Sequence, residues 1–160
     1  MRDSLLPSAM LCVALALPLG FVPARTAALS VAACVAGALA ALLARMPPGY
    51  EDVIFSGCWF STLILAGCVH LPRGMNRIAA IALGANAGLW AGQVAQTDAH
   101  AANLLVALPF LLLWVPARWL VRTDRGIALK VVASWLMAIA GMEMVLTLIP
   151  TPGYMPDHME

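Results

Sequence analysis

"TAALSVAACVAGALAALLA", residues 26–44, carries no charge, and Arg25 and Arg45 stand directly on either side of it. A helix of that length rises about 28 Å at 1.5 Å per residue, close to the thickness of a bilayer's hydrocarbon core. The stretch therefore predicts a membrane-spanning helix. Working outward, the same pattern recurs. An apolar run over 4–22 is closed by "PAR", and one over 53–71 is closed by "PRGMNR". A run over 78–96 stops at "TDAH", one extends over 101–121, and the last covers 126–149. The expected fold is an all-α integral membrane protein. Six transmembrane helices pack as three antiparallel hairpins, because the connections are too short for anything else.

Composition agrees. The chain is 62% apolar and 11% charged, with mean hydropathy +0.90. A soluble domain is about 45–50% apolar and about 25% charged, so most of this chain has lipid as its solvent. The net charge of +1 offers nothing to nucleic acid. Cys12, Cys34, Cys58 and Cys68 all fall inside apolar runs, form no C-x-x-C pair, and read as small buried residues. Arginine dominates the cations, with Lys130 the single lysine, and alanine is abundant. That bias resembles a GC-rich bacterial gene. The first run has features of a signal peptide, but Asp3 beside Arg2 is foreign to one, and a retained helix is expected.

Six crossings sort the charges by side. Of the nine basic residues, Arg2 and Arg45 share a face with both termini, together with Asp3, Glu51, Asp52, Asp98, Asp157 and Glu160. The remaining cations are Arg25, Arg73, Arg77, Arg118, Arg122, Arg125 and Lys130. They fall on the opposite face, where Asp124 is the one acid. Arginine and lysine near helix ends are retained in the cytoplasm, so both termini are expected outside a bacterial inner membrane. The tripeptide Pro-Gly-Tyr occurs at 48–50 and 152–154, leaving the second and sixth helices on the acidic face. Proline stops a helix, glycine permits the turn, and tyrosine suits the headgroup layer. Shared punctuation explains the recurrence better than duplicated hairpins, since the middle hairpin lacks the tripeptide.

Two features invite a functional reading. In "GANAGLWAGQVAQ", residues 84–96, Gly84, Gly88 and Gly92 recur every four residues and form a smooth helix-packing face. Ala33, Gly37 and Ala41 offer a matching face on the second helix. Asn86, Trp90 and Gln93 lie on roughly the other side of the fourth helix, which is expected to be central in the bundle. The second feature is Glu143, within the sixth helix. An ionised carboxylate at that depth costs several kcal/mol unless paired, so it is a functional candidate by default. Lys130 lies about 20 Å away along the same helix, which leaves Arg45 as the plausible basic partner.

The remaining polar residues organise no chemistry. The histidines do not cluster, and Met155, His158 and Met159 read as a solvated tail more readily than a copper site. No catalytic constellation, metal site or cofactor motif is legible, so an enzyme is disfavoured and any cofactor is unidentified. "RWLVRTDR", residues 118–125, reads as an orientation signal able to touch anionic lipid. Two functions remain. One is a small transporter with Glu143, Asn86 and Gln93 lining a substrate or proton path. The other is a non-catalytic accessory or assembly subunit of a larger membrane complex. Either implies self-association or other membrane subunits within the bilayer.

Overall fold

A computed structural model of the chain describes residues 5–44, 49–72, 74–97 and 102–148. All regular elements among them are helical: α1 (Leu5–Leu19), α2 (Ala24–Leu43), α3 (Glu51–Cys68), α4 (Arg77–Thr97), α5 (Ala102–Ala107), a 3₁₀ stretch (Leu108–Leu113), α6 (Trp114–Arg122) and α7 (Gly126–Leu148). Among the described residues, five helical spans are long and apolar enough to cross a membrane, with Asn103–Arg122 counted as one, and the described part of α1 is a shorter apolar helix.

Local chemistry sets the helix ends. α1 runs through Pro18 and ends in a turn in which the Gly20 and Phe21 amides donate to Leu17 O and Pro18 O, each at 3.1 Å, and Pro23 immediately precedes α2. Gly49 turns at φ +100° ahead of α3, whose first turn holds Glu51 and Asp52, where carboxylates favour the N-terminal end of the helix dipole. Asn76 caps α4, its Oδ1 accepting from the Ala79 amide at 2.7 Å, as N-cap asparagines do. The α6–α7 corner is a Schellman turn. The Arg125 amide donates to Leu120 O at 2.9 Å and the Asp124 amide to Val121 O at 3.4 Å. Asp124 itself takes the left-handed position, at φ 57°, where glycine is usual.

The fifth span differs from the single helix expected over 101–121. Pro109 has no amide to offer Leu105, and its ring crowds that carbonyl. The chain tightens there into a 3₁₀ stretch and resumes α-helical geometry at Trp114.

The arrangement in space also corrects the picture of three hairpins. α3 packs on α4 and α6 on α7, but α2 takes α4 as its neighbour in place of α1. α1 lies at the centre, against α3, α4, α5, the 3₁₀ stretch, α6 and α7. Leu11, Leu15 and Leu19 on it are wholly buried. α4 is half buried, so the central position expected for it is shared with, and exceeded by, α1.

The α2–α4 contact is unusually close, and the reason is the glycine row. A Cβ at Gly88 would overlap the Cys34 carbonyl oxygen, one at Gly84 would overlap that of Ser30, and one at Gly92 would sit 2.7 Å from that of Ala38. Residue numbers rise together along both helices, so the pair is parallel. From α2, Gly37 returns the contact, with Ala85 O 2.5 Å from where its Cβ would be. The face that α2 presents is therefore Ser30, Cys34, Gly37, Ala38 and Ala41, with Ala33 beside it. Backbones this near place α2 carbonyls over α4 Cα atoms, the geometry in which Cα–H···O contacts recur. Ser30 adds a 2.6 Å hydrogen bond to Ala80 O.

Candidate functional site

Asn86 lies on the side of α4 that meets α3. Its Nδ2 donates to Ser61 Oγ at 2.8 Å, and its Oδ1 accepts from Trp90 Nε1 at 3.2 Å. The Trp90 ring lies flat over Gly57, so closely that a Cβ there would overlap its far edge. An amide in an apolar interior is costly without partners, and α3 supplies one while α4 supplies the other.

Gln93 works at the opposite flank. Its Nε2 donates to Ala44 O at 3.1 Å, and Gln96 Nε2 donates to Ala41 O. Two glutamines of α4 thus satisfy carbonyls at the C-terminal end of α2, which the helix itself leaves unpaired. Gln93 is buried, and among the described residues its Oε1 has no hydrogen-bond partner.

Glu143 is half-buried on α7. Among the described residues no hydrogen bond or ion pair reaches its carboxylate. The pairing with Arg45 lies outside the described residues, as do Pro152, Gly153 and Tyr154. Two residues away, Gly141 faces open space, with nothing within 4 Å of where its Cβ would be.

Depth relates these residues. α3 and α7 run antiparallel, and Ser134 Oγ lies 3.4 Å from His70 Nε2. Counting from that contact, 143 − 134 = 9 and 70 − 61 = 9. Both steps climb about 13 Å, which brings Glu143 to within a turn of the level of Ser61. Glu143, Ser61, Asn86 and Trp90 therefore occupy one layer across α7, α3 and α4. They do not converge on a common space: α7 packs against α3, α6 and α1, and α3 stands between it and α4. Gln93 lies a further two turns along α4.

Compared with protein-family models, curated proteins and solved structures, this chain matches none. The site must speak for itself.

Sequence reasoning missed Ser61 and Gly57. A serine or glycine in an apolar helix carries no signal of its own, and only the partner's identity, Asn86 or Trp90, gives it a role. The four cysteines are free thiols, and Cys58 Sγ donates weakly to Pro7 O at 3.6 Å, tying α3 to α1. Among the described residues no three His, Cys, Asp or Glu side chains gather as a metal site would require.

Proposed function

We propose that this chain is a non-catalytic subunit of a larger assembly in a bacterial inner membrane, docking through α7. One observation carries the reading: Glu143 is half-buried on a membrane-length helix, and no hydrogen bond or ion pair from another described residue reaches its carboxylate. Carboxylates at such depth are stable when paired, so the missing donor comes from a partner helix. Support comes from α7 itself, little of which is buried. Trp135 on its outer surface is 74% exposed, and Gly141 leaves room for close approach. The hydrogen bonds of Asn86 and Gln93 are also those of a scaffold, because each ties α4 to a neighbour.

A second reading, transport, is favoured by the common depth of Glu143, Ser61 and Asn86. There the carboxylate carries a proton and the neutral layer continues its path. Affinity purification from solubilised membranes separates the two. The subunit reading expects a membrane partner with the parent chain and about tenfold less of it with Glu143→Leu, the worth of one charge-assisted hydrogen bond. The variant's melting temperature should be unchanged. A chain recovered alone, whose Glu143→Gln form loses proton flux in vesicles, would establish transport instead.

The orientation belongs to the same proposal. With seven of the nine cations on one face, both termini lie outside. An alkaline phosphatase fused after Glu160 is then active and a cytoplasmic fluorescent reporter there is dark; the reverse would overturn the topology.

A further inference from the structure

A hollow of about 410 Å³ opens to the surface between α3 and α7, lined by Gly67, His70, Ser134 and Met137. It is shallow and open to the surface, a shape suited to a ligand that lies along the molecule's outside. No Cβ fills the space beside Gly67, where nothing lies within 4 Å. His70 and Ser134 are both exposed, and their polar atoms face each other at 3.4 Å. Lys130 stands one turn before Ser134 on the same face of α7 and is exposed as well. This is the end of the molecule to which Arg77, Arg118, Arg122 and Arg125 also belong.

The chemistry of the hollow is that of an anion site beside hydrocarbon. Lys130 offers up to three donors and a full charge. His70 offers a ring N–H, and Ser134 a hydroxyl. At present the Ser134 hydroxyl donates to Lys130 O at 2.9 Å, a back-bond within the helix that is cheaply given up. Away from this end, Phe60 and Ile64 share the stripe of α3 that carries Gly67, and both are exposed. A ligand with a charged head and long apolar chains matches both halves.

We propose that this hollow holds the phosphodiester of a phospholipid from the adjoining leaflet. Lys130 and His70 donate to its phosphate oxygens, and Ser134 turns its hydroxyl from the helix carbonyl to a third. The acyl chains run along Phe60 and Ile64. The lysine stem lies against the helix and carries its ammonium to the headgroup level, as long basic side chains do at membrane boundaries. The site is independent of Glu143, which lies about 13 Å deeper on α7.

Native mass spectrometry tests this on the full chain in detergent, titrated with phosphatidylglycerol. Lys130→Gln and His70→Gln should each weaken lipid retention, and the double variant should lower it by about tenfold or more, the worth of one or two charge-assisted hydrogen bonds. Arg25→Gln removes an exposed cation on α2, away from the hollow, and should leave retention unchanged. Glycerol 3-phosphate, which has the head without the chains, should not displace the lipid at equal concentration. Retention unaffected by the double variant, or lowered equally by Arg25→Gln, overturns the site. Displacement by glycerol 3-phosphate overturns the lipid as its occupant.

Discussion

Gly88→Leu is expected to separate α2 from α4 and to leave little folded protein after detergent extraction. The cause is backbone against backbone. A single Cβ at 88 already overlaps the Cys34 carbonyl oxygen, with Cys34 C and Ala38 N within 3 Å of it. No rotamer change relieves a clash with a main chain. The helices must move apart, and Ser30–Ala80 and the two glutamine bonds to Ala41 and Ala44 stretch with them. Overfilling a packed contact costs about 1–3 kcal/mol where side chains can yield. Here they cannot, so a loss of about 3 kcal/mol or more is expected, even for Gly88→Ala. Gly141→Ala is the matched comparison, because that glycine meets nothing. It should melt no lower than the parent, and it gains helix propensity. Equal stability of Gly88→Leu and parent in a thermal melt would show that the glycine row has no close neighbour.

Gly57→Val should have the second largest effect, through a side chain this time. The ring of Trp90 occupies the space a Cβ would need, and the ring is held by its Nε1 bond to Asn86. To admit valine, Trp90 must swing out. That breaks the indole bond, loosens Asn86 from Ser61, and strands polar groups in an apolar contact. The expected loss is about 2 kcal/mol, with Trp90→Leu alone costing less. Because the two residues touch, their effects should not add. Gly57→Val combined with Trp90→Leu should recover part of the stability lost in Gly57→Val. If the double variant is as unstable as the sum of the singles, the ring does not rest on Gly57.

Helix positions were legible because lipid makes charge the boundary marker. Arg25 is the second residue of α2 and Arg77 the first of α4. What lipid erases is the inside–outside pattern. In water the polar face of a helix shows which side is buried, whereas α1 is apolar all round and so gives no hint that it is the innermost element. Partner choice was partly legible. Gly84, Gly88 and Gly92 mark a face made for close approach, and Ala33, Gly37 and Ala41 mark a matching face on α2. Gly37 and Ala41 do meet α4, with Ala33 beside the contact, but the α2 carbonyls that the glycines admit leave no mark in the sequence, since every helix has them. The 3₁₀ stretch is the reverse case: Pro109 was visible in the sequence, within a run otherwise uniform enough to read as one helix. At the candidate site, Asn86, Gln93 and Glu143 stood out because polar atoms in hydrocarbon need partners. Ser61 did not, since a serine can satisfy itself within its own helix.

The central position of α1 has a consequence for the order of assembly. Its neighbours, α3 to α7, all follow it in the chain, and α2, the helix synthesised next, is not among them. During synthesis α1 therefore waits in lipid without its packing partners. The α3–α4 pair can form early, and α2 can seat on the α4 glycines without α1. Enclosing α1 requires contacts that span most of the chain, and such long-range closures are slow. α1, which enters the membrane before every one of its neighbours, is thus the last of this bundle to be enclosed, and a chain that stops before α7 would hold a docked α2–α4 pair around an unsealed centre.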